Sequence, residues 1–338
     1  MSEFINRPLS RRGFLGGATV AAGLGLTACG GGQQKAAEAP SGKEGGGTIT
    51  AGTAYSTQNY DPSTTSSALA LGVNWQVVEG LYGLNFHDYS TFNELATADP
   101  KKVDDNTFEI TIRDGAKFSD GNEVKADDVV ESFNRSAAKG SVYVPMLSPI
   151  ASVEKKDDKT VTVKTTIANF SLLKERLSIV RVVPASSSQD EMKKQPVGSG
   201  PWQFESISDN TLDLVPNKNY NGATPAKDDK LHYDVLKDPT ARLTAQQDGT
   251  TLAMEMVPAD AVDQLKGAGC TVDAVQGFGV RFAMFNLGKA PWDNVKVRQA
   301  CLYALDTDKM LANAFSGQAE VATSYLPSSF ANYHKAST

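Results

Sequence analysis

Apolar and polar positions change period several times along the chain, and each change marks an element. "GTITAGTAY" (Gly47–Tyr55) alternates weakly and predicts a first strand. From Ala68 to Leu84 the residues Leu71, Trp75, Val78 and Tyr82 recur at helical spacing, which predicts a helix with Trp75 as core. Phe108, Ile110 and Ile112 alternate as in a strand, and "DGAKFSDG" is turn chemistry, Gly115 and Gly121 each following an Asp. "KADDVVESFNRS" predicts a helix with Val129, Val130 and Phe133 inward. Asp127 and Asp128 fall in its first turn, where the helix dipole favours negative charge. "SVEKKDDKTVTVKTT" predicts a hairpin, Val153 on one arm and Val161 and Val163 on the other. Asn169–Leu177 reads as a short helix and "VRVVP" as a buried strand ending at Pro184. A Gly/Pro loop then leads Trp202, Phe204 and Ser206 into a strand.

Asp238 followed by Pro239 is an N-cap with proline at the first helical position, and that helix runs to Gly249. "VPADAVDQL" predicts a short helix and "GVRFAMFNL" (Gly279–Leu287) a strand. Asn294 caps a further helix expected to bury Val297, Cys301 and Ala304, and the chain ends without an obvious closing element. Strands and helices alternate with hairpins between them, the pattern of a mixed α/β architecture with more than one lobe.

The stretch before Gly47 is of another kind. Arg11 and Arg12 precede a short apolar segment, Phe14–Ala28, of about fifteen residues, too short for a bilayer core that needs ~20. Positive flank, short apolar core and small residues at its end are the pattern of an export signal. "SRRGFL" resembles the twin-arginine motif, with Gly16 where a Lys usually stands, and general secretory export stays open. "LTAC" (Leu26–Cys29) resembles the bacterial lipobox, which implies cleavage before Cys29 and attachment of lipid to its thiol. Gly30–Gly47 holds no Val, Ile, Leu or aromatic residue and reads as a flexible leash. The expectation is a protein anchored by lipid to the outer face of the cytoplasmic membrane.

Composition narrows what the body does. The chain carries a net charge of −6, and three Arg and one Glu precede Cys29, so the part from Cys29 onward carries −8. An acidic body argues against a nucleic-acid partner. Cys270 and Cys301 remain once Cys29 is modified, either as two free buried thiols or as an extracytoplasmic pair. The sequence has no nucleophile elbow, metalloprotease helix, C-x-x-C, Walker loop or dinucleotide fingerprint, and "VGSGP" lacks the Lys and Ser/Thr of a phosphate loop. His87, His232 and His334 are scattered singly. These residues therefore supply no enzymatic constellation, and no cofactor or metal site is expected.

Three segments carry a resemblance. "FEITIRDGAKFSDGNEVKADDVVESFNR" (Phe108–Arg135), "PVGSGPWQFES" (Pro196–Ser206) and "FNLGKAPWDNVKVRQACLYALDTDKML" (Phe285–Leu311) resemble, in order and spacing, extracellular solute-binding proteins of the peptide/nickel type. These are receptors of ABC importers. At "QDGTTLAMEMVPAD" the chain departs from them, with Thr250 and Leu252 where an acidic pair is usual. The resemblance implies a periplasmic-binding-protein-like α/β fold, two-lobed with mixed sheets, that closes on a solute and delivers it to ABC permease subunits. It places a first lobe at 48–84 plus 185–279, a small accessory lobe at 85–184, and the start of a second large lobe at 280–338. Residues 1–28 would be the signal and 29–47 the lipidated cysteine and tether. The family pattern continues well beyond this length, so the second large lobe is expected to be incomplete, and the family's charged anchors for peptide termini cannot be carried over. Peptides lead as ligand class, with nickel chelates and sugars among those of relatives. The rival readings are a non-functional relic of such a receptor and a secreted enzyme.

Ligands of α/β sheets sit beyond the carboxyl ends of strands. That makes Tyr55, Ser56 and Thr57, after the first strand, the candidate ligand-binding residues, with Asn286 opposite. The plain alternative is that Tyr55 packs and the others cap turns.

Overall fold

A computed structural model describes residues 46–86, 88–275, 277, 279–315, 318–328 and 333–335. Arg11, Arg12, Cys29 and most of the leash lie outside the described residues, as does His87. Gly46 and Gly47, the last residues assigned to the leash, are held. Gly46 donates its N–H to the Lys227 carbonyl at 3.0 Å, and Gly47 to Asp229 Oδ2 at 2.8 Å.

In chain order the elements are β1 (Thr48–Thr53), α1 (Ala68–Val77), β2 (Tyr82–Leu84), β3 (Thr91–Asn93), β4 (Lys101–Lys102), β5 (Thr107–Thr111), α2 (Ala126–Ala137), α3 (Val144–Leu147), β6 (Ile150–Lys155), β7 (Thr160–Thr165), α4 (Leu173–Leu177) and α5 (Gln189–Lys194). There follow β8 (Trp202–Ile207), β9 (Thr211–Pro216), β10 (Lys230–Val235), α6 (Pro239–Gln247), β11 (Ala253–Met254), α7 (Val262–Gly267), α8 (Val295–Tyr303) and α9 (Thr307–Phe315). A mixed sheet runs β11-β1-β10-β9-β8, with β1 parallel to both β10 and β11 and the β10–β9 and β9–β8 pairs antiparallel. A second sheet, β4-β5-β7-β6, is antiparallel throughout, and β2 pairs with β3.

Two apolar cores follow from these sheets. Leu69, Val73 and Val77 of α1 pack with Trp202, Phe204, Leu212 and Leu214 of the mixed sheet. Phe108, Ile110, Val161 and Val163, alternating inward from β5 and β7, pack with Val129 and Phe133 of α2. The α2 start is capped from within: Asp128 Oδ2 accepts the Lys125 N–H and Oδ1 the Ala185 N–H, both at 2.8 Å.

The chain passes between the cores at Val78–Leu81 and again at Val182–Val183. Buried ion pairs sit at those crossings. Arg113 grips Glu79 through both terminal nitrogens at 2.8 Å, and Arg181 Nη1 meets Glu94 Oε2 at 2.7 Å. Arg181 also lies over the Trp75 ring, 3.1 Å from its centroid, and the Phe86 ring meets that ring edge-on at 5.0 Å.

Several expectations change. The helix from Ala68 stops at Val77, and its buried face is Leu69, Ala70, Val73, Asn74 and Val77, not the Leu71–Trp75–Val78–Tyr82 stripe. "VRVVP" is buried but makes one isolated bridge, Arg181 to Gly80, rather than a strand. The short helix begins only at Leu173, and Asn169, where the pattern starts it, lies in the left-handed region with φ of 52°. β9 and β10 fill a stretch to which the sequence reading assigns no element, although Leu212 and Leu214, and Leu231, Tyr233 and Val235, alternate there. Gly279–Leu287 forms no strand; Phe282 and Met284 are exposed, and no neighbouring strand offers it a ladder among the described residues. Asn294 does cap α8, its Oδ1 accepting the Lys296 N–H at 2.9 Å, but α8 buries none of its residues, and Ala304, which follows it, is exposed. Cys270 and Cys301 are free and only half-buried.

Candidate functional site

β1, β10 and β11 run parallel, so their carboxyl ends open on one side of the sheet, at Thr53, Val235 and Met254. A cavity of about 270 Å³ lies there, between the strand ends and α1. Its walls are largely apolar, from Leu69, Val73 and Met254, with Gly72 adding no side chain from the helix. Four polar groups converge on it: Thr53, Gln76, Tyr233 and Glu255. Apolar walls with a few placed polar groups are the usual make-up of a small-molecule site.

Each polar group has a local reason to be there. Tyr233 lies on the β10 face that also carries Leu231 and Val235 to the core, while His232 and Asp234 point the other way. Gln76, one turn beyond Gly72 on α1, donates from Nε2 to the Tyr233 hydroxyl at 2.8 Å. Among the described residues no acceptor takes the phenolic proton. Burial, chiefly, raises the Tyr233 pKa, the charge of Glu255 adding to this, so the phenol stays a donor. Glu255 follows β11 directly, and its Oε1 accepts from the Thr53 hydroxyl and from the Ala54 N–H.

The backbone behind Glu255 is pinned. Met256 has φ of 55°, in the region that costs a residue other than glycine. Arg242, buried on α6, holds it there: Nη2 donates to the Met256 carbonyl at 3.3 Å, and Nη1 to the carbonyls of Leu236 and Lys237 at 2.6 and 3.0 Å. One guanidinium thus ties the end of β10 to the exit of β11.

The residues expected from the sequence lie elsewhere. Tyr55 and Ser56 are exposed on the loop after β1, near the cavity in sequence but not lining it. Thr57 closes a turn, its Oγ1 accepting the Asn59 N–H at 3.0 Å and donating to the Asn59 carbonyl at 3.2 Å. Asn286 is exposed, and its Oδ1 accepts the Gly288 N–H at 3.2 Å. Among the described residues no hydrogen bond joins Asn286 to residues 55–57. Gln76, Tyr233 and Glu255 are not among the residues expected from the sequence, because the contacts that bring them together lie far apart along the chain. The one legible trace of Glu255 is an acid directly after the apolar pair Ala253–Met254 and just before Pro258.

"VGSGP" has a steric explanation. A Cβ on Gly198 would stand 2.0 Å from the Val77 carbonyl oxygen, and one on Gly200 2.5 Å from that of Gln76. The loop needs glycine because it crosses the end of α1 at backbone contact, where Gly200 donates to the Val77 carbonyl at 2.9 Å. Among the described residues no cluster of three or more metal-binding side chains occurs, and no helix is long and apolar enough to cross a membrane.

Comparison with known proteins gives a consistent picture. The family model described as "Bacterial extracellular solute-binding proteins, family 5 Middle" matches residues 92–338. Heme-binding protein A of Haemophilus influenzae is 31% identical over 284 residues, 74% of this chain and 52% of its own length. A glutathione-binding protein of Pectobacterium atrosepticum is 28% identical over 281 residues, 80% of this chain and 54% of its own. The chain thus spans about half the length of these curated relatives. Among solved structures, the ABC transporter-associated periplasmic binding protein DppA from Helicobacter pylori, in complex with the peptide STSA, superposes with a TM-score of 0.75. The match has 19% identity and covers 86% of this chain and 62% of that one, a likeness of fold.

Proposed function

This chain belongs to the bacterial extracellular solute-binding proteins of family 5, and from that premise we propose that it captures a small solute, peptides first, in the cavity at the carboxyl ends of β1, β10 and β11. The observation that carries the reading is the cavity itself: apolar walls, a free phenolic donor and a fixed carboxylate, at the strand ends where α/β sheets hold ligands. The proteins it resembles by sequence are named for binding, of heme in one case and glutathione in the other. In this reading the body built on the mixed sheet is the first lobe, residues 48–84 plus 185–279, with 85–184 packed on it as an accessory lobe and 280–338 opening another. Ligand contacts on facing lobes favour a closed state, which a membrane permease of the ABC type then receives. Cys29 carries lipid and Arg11–Arg12 direct export.

Gly72 supplies the test of the site. It lines the cavity on α1, and a Cβ there meets nothing within 4 Å, so Gly72→Leu fills the cavity at little cost to the fold. Calorimetry against defined peptides, glutathione and heme should find a saturable one-to-one ligand whose binding Gly72→Leu abolishes. A ligand that binds the variant unchanged would place the site elsewhere. For the anchor, Cys29→Ala should stop incorporation of labelled fatty acid; a mutant that still takes up label contradicts the lipid reading.

A further inference from the structure

Glu255 is the single charged side chain among those lining the cavity. Its Oε1 is committed to the Thr53 hydroxyl and the Ala54 N–H, while Oε2 receives no hydrogen bond from any described residue. The carboxylate is therefore held by one oxygen and offers the other. Its backbone support is unusually firm for a surface turn, because Met256 is kept at positive φ by a buried arginine that spans two strand ends. A side chain that merely solubilised the surface would need neither the clamp nor the strained neighbour. The rest of the lining, Leu69, Val73 and Met254, suits an alkyl stem, and Tyr233 adds a neutral donor beside the charge. At about 270 Å³ the cavity is at or below the ~300–1,000 Å³ of sites that take a whole drug-sized ligand, so it fits one terminal group or one side chain.

We propose that this cavity is a subsite for a cationic group on the solute, an ammonium on an alkyl stem, with Glu255 as the residue that reads its charge. The proposal rests on the solute-binding reading of the cavity and adds the chemistry of what enters it. Glu255 is itself exposed, so it acts on an ammonium that keeps part of its water, and a neutral isostere and the cation are separated by the one charge-assisted hydrogen bond that its free oxygen supplies. Two sources present this chemistry, the α-ammonium of a peptide and the ammonium of a lysine side chain.

Four probes distinguish them, titrated calorimetrically into the 338-residue chain: Ala-Ala-Ala, its N-acetyl form, N-acetyl-Ala-Lys-Ala, and the same peptide with norleucine for lysine. The cationic member of at least one pair should bind ten times or more tighter than its neutral twin. The first pair splitting assigns the α-ammonium, the second the side chain. Glu255→Gln should collapse that ratio towards one, and Glu255→Asp, which keeps the charge on a shorter stem, should restore part of it. If peptides bind but twins bind alike, or the ratio survives Glu255→Gln, the cationic subsite is overturned while the solute-binding reading stands. If none of the four binds, the peptide reading falls and the subsite falls with it.

Discussion

His232 shows what a single residue contributes when strand register decides its neighbours. On β10 it sits opposite Asp213 of β9, with Nδ1 2.7 Å from Asp213 Oδ1 and Nε2 3.3 Å from Asp234 Oδ1. Partial burial opposes its charge, but the Asp213 hydrogen bond and the charges of Asp234 and Asp213 outweigh it, and its pKa is raised. Partial burial likewise works against Asp213, whose pKa is nevertheless lowered by His232, Ser206 and Lys230. A raised histidine pKa stabilises fully below its ordinary value of about 6.5, and the contribution is lost as pH rises through the folded value. The lowered carboxyl acts in the opposite sense, its contribution present above about 4 and lost as pH falls. Replacement His232→Gln should therefore cost roughly 0.5–1 kcal/mol near pH 5.5 and less near pH 8.5. Urea midpoints at the two pH values measure this, and an equal cost at both would contradict it. Nothing in "KLHYDV" alone tells a solvated histidine from one clamped between two carboxylates, since Asp213 lies on another strand. Trp75 is a similar case: helical spacing suggests core, whereas the Arg181 guanidinium lies over the ring and the Phe86 ring meets it edge-on.

At the scale of elements, local chemistry was legible and cross-chain pairing was not. Asp238 before Pro239 identifies the start of α6, and the Asp238 Oδ1 accepts the Ala241 N–H at 2.8 Å. Gly249 ends the same region at φ of 78°. The alternation of Val161 and Val163 identifies β7, buried on one face. By contrast β10 alternates Leu231, Tyr233 and Val235 with Lys230, His232 and Asp234, so its period was there to be read, but not its place as the strand that joins the parallel and antiparallel halves of its sheet, which depends on partners far off in sequence. Gly279–Leu287 shows the reverse failure: its apolar residues suggest a strand, but a strand needs a partner to satisfy its backbone, and none is present among the described residues. The "VGSGP" loop is an element defined by contact rather than by pattern. Gly198→Ala forces a methyl against the Val77 carbonyl, so the loop or the end of α1 must shift. It should cost at least ~1–3 kcal/mol, the range for overpacking a filled site. A denaturant midpoint matching that of the unmodified chain would show that the close approach does not hold in solution.

Over the whole described molecule, two cores are joined at two chain crossings, and the ion pairs Glu79–Arg113 and Glu94–Arg181 lie at both. Burial, above all, raises the Glu79 pKa and lowers that of Arg181, against the pull of their partners. Glu94→Gln leaves Arg181 buried without its direct counter-ion and should cost about 3–5 kcal/mol. Equilibrium unfolding tests this, and a loss below ~1 kcal/mol would mean the crossing is solvated. The family and the mixed α/β class were legible from three long segments, because those segments carry turn and packing chemistry that reads locally. The cavity was not, because it is assembled from β1, α1, β10 and β11, which are brought together only by the sheet order. That cavity is the centre of the account. Hydrogen exchange with and without a saturating peptide ligand tests it most directly. The expected result is added protection in residues 52–57, 68–76 and 253–256, with little change on the outer face at His232. Protection confined to segments away from the ends of β1, β10 and β11, with those three stretches unchanged, would contradict it.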